Sequence, residues 1–92
     1  MREFWSRRKN PLETGYVVLN VSPGMKKEFI EKAKMIDKVK EAHIVIGIYD
    51  AILKIEADTI AEMERIYLNR IDKLPGINNS RLHFVACPRT RK

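Results

Sequence analysis

Residues 41–57 run Glu41-Ala42-His43-Ile44-Val45-Ile46-Gly47-Ile48-Tyr49-Asp50-Ala51-Ile52-Leu53-Lys54-Ile55-Glu56-Ala57. Two stretches rich in β-branched and apolar residues, Glu41–Ile46 and Tyr49–Ala57, flank Gly47-Ile48, and Asp50 lies close behind. Such stretches favour strands, and so short a connection predicts a tight hairpin. Lys54 and Glu56 alternate with Ala51, Leu53 and Ile55. Successive strand side chains point to opposite faces. One face of this strand is therefore apolar and turned to a core, while Ile52, Lys54 and Glu56 turn away.

The flanking segments extend the pattern in both directions. Tyr16–Val21 is β-branched and aromatic and predicts an earlier strand, broken by Ser22-Pro23-Gly24. Met25–Asp37 carries apolar residues at 25, 29, 30, 33 and 36, one helical stripe, with charged residues opposite and a favourably ordered Glu28–Lys32 pair. After the hairpin, Thr59 and Glu62 form a capping box. The helix they open runs to about Leu74, with its stripe at Ile60, Met63, Tyr67, Ile71 and Leu74, and Pro75-Gly76 stops it. Arg81–Cys87 alternates as a last strand, ended by Pro88. The order strand–helix–strand–strand–helix–strand folds, through right-handed crossovers, into a ferredoxin-like α+β sandwich: a four-stranded antiparallel sheet with both helices on one face.

Ninety-two residues make one domain, expected over 15–87, between an N-terminal arm over 1–14 and a tail over 88–92. The formal charge is +6 with 33% charged and 45% hydrophobic residues, a globular balance. The basicity sits in the ends: residues 1–15 carry +2 and residues 88–92 carry +3, leaving +1 between them. A nucleic-acid domain ordinarily carries its charge on the folded binding face. The arm also holds Phe4 and Trp5, expected to dock on a neighbouring surface, and the run Arg7-Arg8-Lys9. The longest apolar run is far below the ~20 residues of a membrane helix, and no basic-then-apolar leader opens the chain. A lone cysteine, Cys87, makes no internal disulfide, and a reducing cytoplasm is expected.

Alternation sorts the remaining strands. Val17, Leu19, Val21, Ile44, Ile46, Leu82, Phe84 and Ala86 are expected inward. Tyr16, Val18, Asn20, His43, Val45, Arg81, His83, Val85 and Cys87 are expected outward. The open face then gathers Tyr16, Val18, Val45, Ile52 and Val85 into an apolar patch larger than a monomer usually exposes. Two such sheets are expected to pack face to face in a two-fold dimer, with Tyr16, Val18, His43, Val45, Ile52, His83 and Val85 in the interface.

Chemistry is sparse. His43 and His83 share the open face, but only Cys87 is at hand as a third metal ligand or a nucleophile, so no metal and no cofactor are expected. The carboxylates form no acid/base pair: Glu62, Glu64 and Asp72 read as solvated helix faces, and Asp58 as help for the second helix start. Gly24, Gly47 and Gly76 stand alone in turns and make no phosphate loop. An RNA-recognition sheet needs paired aromatics on its central strands, where only Tyr16 stands. An acyl-phosphate hydrolase of this fold needs an Arg in the loop after the first strand, and Ser22-Pro23-Gly24 has none. The chain is not expected to be an enzyme.

Gly47-Ile48-Tyr49-Asp50-Ala51-Ile52-Leu53 resembles the G-x-Y-D-h-h-h signature (h apolar) of the Lrp/AsnC family of amino-acid-responsive regulators. Tyr16–Gly24 is similar to that family's strand and Pro-Gly turn. Val39-Lys40-Glu41-Ala42-His43 is similar to its V-x-x-A-h approach to the second strand, and Leu74-Pro75-Gly76-Ile77 to its L-P-G-V. The resemblance spans roughly residues 15–87. It implies the family's effector-binding domain, also called the RAM domain, here without the usual helix-turn-helix, as a stand-alone version. It further implies dimers joined through their sheets, barrel-like, with higher assembly and amino acids bound in clefts between dimers. Gly47 would then allow close backbone approach, Ile48 and Tyr49 would supply walls, and Asp50 would meet an α-ammonium group or fix the hairpin. Where the family often has T-x-T, Ser80 matches the first hydroxyl and Leu82 takes the second position.

Three functions follow as expectations. The first is a domain that senses an amino acid and modulates a full-length relative through ligand-linked assembly. The second is a ligand-free docking scaffold. The third is weak, salt-sensitive nucleic-acid binding by the tails.

Overall fold

The described residues of the structure, a computed structural model, are 13–85. The alternating segment Glu13–Val21 forms β1, a single 3-10 turn follows at Pro23–Met25, and Lys26–Lys34 forms α1. Val39–Ile44 is β2 and Ala51–Ala57 is β3. Ile60–Ile66 is α2, prolonged by a π-helical turn over Tyr67–Ile71, and Ile77–Phe84 is β4. The sheet order is β2-β3-β1-β4 with every pair antiparallel, the ferredoxin-like arrangement.

Burial on the two central strands follows the period of two. Val17, Leu19, Val21, Ala51, Leu53 and Ile55 are buried, as expected from alternation, and so is Ala57. The helices close over them with Phe29, Ala33 and Ile36 from α1 and its following turn, and Met63 and Ile71 from α2 and its extension. A close approach is built into β1. A Cβ on Gly15 would run into the Met63 side chain and lie 3.3 Å from the His83 carbonyl oxygen, so α2 sits low over this point.

The cap of α2 forms as the sequence predicts. Thr59 Oγ1 accepts from the Glu62 backbone N–H at 3.0 Å. The Glu62 carboxylate returns one residue earlier than expected, accepting from Asp58 N–H at 3.0 Å.

Several expectations need correction. The tight hairpin is a six-residue loop, 45–50, because β3 begins at Ala51 and not at Tyr49. Asp50 N–H donates to Leu19 O on β1 at 2.8 Å, while the Asp50 carbonyl accepts from Val45 N–H at 2.9 Å, so its two backbone groups serve different neighbours. Ile46 is not inward: it lies in this loop, 102% exposed. Ile44 does share the helix-facing side with its partner Ala51, yet stays well exposed on an edge strand. The first helix is shorter than Met25–Asp37 and is preceded by the 3-10 turn at the proline. Regular α-helix ends at Ile66, short of Leu74. The last strand starts four residues early, at Ile77, and ends at Phe84. Ion pairs join Lys26 to Asp50 at 3.7 Å and Lys38 to Glu62 at 3.8 Å, and Glu28–Lys32 is not among the ion pairs of the described residues. Phe4, Trp5, the Arg7–Lys9 run, Ala86, Cys87 and the 88–92 tail lie outside the described residues.

Candidate functional site

The 45–50 loop projects from the end of the sheet where β1 stops, and its base is tightly held. Val45 N–H donates to Asp50 O at 2.9 Å, and Asp50 N–H reaches Leu19 O. The Asp50 carboxylate accepts from Val21 N–H at 2.9 Å, on Oδ2. Asn20 Nδ2 approaches the same oxygen at 3.5 Å and donates to Ile48 O at 2.8 Å. Asn79 on β4 in turn donates to Asn20 Oδ1 at 2.9 Å. Lys26, at the start of α1, faces the other Asp50 oxygen. The hydrogen bond from Val21 N–H, helped by Asn20 and the Lys26 ammonium, holds the Asp50 carboxyl below the ordinary carboxylate range against partial desolvation.

Asp50 is therefore a latch between the loop and the end of β1. The apex of the loop is different. Gly47 is exposed with φ 151 and open space where a Cβ would stand. Ile48 is 84% exposed. Tyr49 is half-buried between the apex and the latch.

Ser80 sits elsewhere. It pairs with Leu19 on the helix-facing side of the sheet, and its hydroxyl shares a 2.6 Å hydrogen bond with the Tyr67 hydroxyl from the π-helical turn. The structure thus brings Gly47, Ile48, Tyr49 and Asp50 into one loop and leaves Ser80 beneath α2. Asn20, Lys26 and Tyr67, which hold Asp50 and Ser80, were not singled out as site residues from sequence. Asn20 is marked there only as an outward strand position, and 30 residues of sequence separate it from Asp50.

The open face of the sheet is organised by register. His43, Ile52, Val18 and Arg81 form one cross-strand row, and Glu41, Lys54, Tyr16 and His83 the next. Val45 starts the loop, and Val85 follows β4 with its N–H on Thr14 O at 2.9 Å. Tyr16 is 38% exposed, while Val18 and Ile52 are half-buried between their neighbours. Polar groups rim one side: Lys54 meets Glu41 at 3.8 Å and Glu56 at 3.7 Å, and Glu41 meets His43 at 3.3 Å. Among the described residues, no group of three or more His, Cys, Asp or Glu could hold a metal ion. Among them, too, no helix is long and apolar enough to cross a membrane.

Comparison with known proteins agrees with this fold. The model of the Lrp/AsnC ligand binding domain matches residues 14–88. The leucine-responsive regulatory protein of Haemophilus influenzae is 29% identical over 63 residues, 68% of this chain. This chain spans only 38% of that regulator's length. The crystal structure of FFRP-DM1 superposes with a TM-score of 0.76 at 30% identity, over 80% of this chain and 99% of that one. A transcriptional regulator from Neisseria meningitidis, NMB0573, solved as a complex with L-Met, shares the fold at 11% identity with a TM-score of 0.74, over 86% of this chain and 53% of its own. With a family match over most of its length and a sheet and loop to suit, the chain belongs to the Lrp/AsnC ligand-binding domain family.

Proposed function

We propose that this chain is an amino-acid-responsive assembly domain that modulates transcription together with a DNA-binding member of its family. Protomers associate through the open sheet face, and a small effector binds at the 45–50 loop. Binding acts by favouring one assembly over another, and can do so only by its difference in affinity for the two.

The observation that carries this reading is the contrast within the loop. Its base is locked by Asp50 and Asn20, while Ile46 and Ile48 stand out into solvent. Loops held by a rigid scaffold with an unpaired apolar tip are where binding residues concentrate. Tyr49 and Ile48 supply walls for the effector in this account, and Gly47 leaves room for close approach. Asp50 acts by positioning, since its oxygens already serve Val21, Asn20 and Lys26. The relative solved with L-Met supports an amino acid as the class of effector.

The prior engagement of both Asp50 and Ser80 favours a second reading, an assembly module that works without an effector. Calorimetry against the twenty amino acids, paired with sedimentation, separates the two. Heat of binding and a shifted sedimentation profile with at least one amino acid support sensing. Silence across the panel at millimolar concentrations leaves assembly alone.

A further inference from the structure

The helix side of the sheet keeps an apolar groove that face-to-face packing of the open sheet surfaces would leave untouched. Tyr67 and Leu68 line it from the π-helical turn, Leu82 and Phe84 from β4, and Glu64 stands beside them. Its volume is about 470 Å³. Leu68 is 57% exposed and Phe84 40%. Phe84 pairs with Gly15, on the face that carries Met63, opposite to Tyr16 and Val18. An apolar opening with polar surroundings marks a site of contact.

The course of the chain says what is near it. β1 begins at Glu13, and Gly15 lies directly across from Phe84. Val85 N–H donates to Thr14 O at 2.9 Å. Glu13, the first described residue, therefore lies at the end of the sheet beside one wall of the groove. Phe4 and Trp5 stand upstream, followed by Arg7-Arg8-Lys9. An extended chain covers roughly 3.3–3.6 Å per residue, which is ample to carry Trp5 from Glu13 back over Phe84 and Leu68. The basic run also suits the carboxylate of Glu64.

We propose that Phe4 and Trp5 of the same chain fill this groove, with the basic run beside Glu64. The groove is then an intramolecular docking site for the N-terminal arm. Packing two aromatic rings there would cover Leu68 and Phe84 and finish the helix side of the core.

Trp5 is the only tryptophan, so its fluorescence reports the docking directly. In the full chain its emission is expected at shorter wavelength than in a peptide of residues 1–12, with weaker quenching by iodide. Leu68→Lys, at an exposed position, is expected to return both to the peptide's values while circular dichroism stays unchanged; Leu68→Ala is expected to do so in part. After mixing with a Trp5→Ala chain that keeps Leu68, the Leu68→Lys chain should keep its long-wavelength emission. Emission of the full chain equal to the peptide's, or indifferent to Leu68→Lys, overturns the proposal. So does a shift to shorter wavelength on mixing, which would give the groove to the arm of a second copy.

Discussion

Asp50 is where local chemistry has the most structural consequence. Its carboxylate accepts the Val21 N–H and faces Lys26, and its pKa is lowered by these partners in the folded chain. An unfolded aspartate titrates near about 3.9. A group with a lowered folded pKa stabilises the fold fully above the unfolded value and loses that contribution as pH falls through the folded one. Thermal unfolding should therefore show a stability loss below about pH 4 that Asp50→Ala removes, at the cost of a lower melting temperature at pH 7. Asp50→Asn keeps an acceptor for Val21 and should fall between the two. Gly76 gives a second test at this scale. It sits at φ 80, and a Cβ there would lie 2.5 Å from Met25 Cβ. Gly76→Ala is expected to cost about 1–3 kcal/mol in denaturant titrations. Asp50 was visible in the sequence as a residue that meets a ligand or fixes a turn. Its partner was not, since Val21 N–H is a backbone group 29 residues away that only the sheet brings near.

Among the elements, α2 and β3 were the most legible because each has a signal local to itself. The Thr59–Glu62 box closes α2, and Thr59→Ala should destabilise the fold by about 1 kcal/mol in the same titrations. A loss of under ~0.3 kcal/mol would mean that the cap is dispensable. Alternation placed Ala51, Leu53 and Ile55 inward, where they are fully buried. The boundaries were less legible, because partners set them. Ile77-Asn78-Asn79-Ser80 has the composition of a loop, yet these residues extend β4. Ile77 pairs with Val21, Asn79 with Asn20 and Ser80 with Leu19. Pairing with a central strand outweighs weak strand propensity.

For the whole molecule, the sheet order and the side taken by the helices could be read from element order alone. Which surfaces meet another subunit could not, because an open face looks the same in one chain whether it is wet or covered. The two-row surface of Tyr16, Val18 and Ile52, rimmed by Glu41, His43, Lys54 and Glu56, is the part of the account on which effector-linked assembly depends. A lysine at Val18 would put an unpaired charge in the middle of such an interface, a costly burial. Val18→Lys should thus shift the chain toward monomer by at least an order of magnitude in dissociation constant, with its circular dichroism retained. Sedimentation of the unmodified chain across micromolar concentrations is the most direct measurement. A dimer or a multiple of it is expected, converted by Val18→Lys to smaller species. A well-folded 10.8 kDa monomer at every concentration, or assembly indifferent to Val18→Lys, would contradict it.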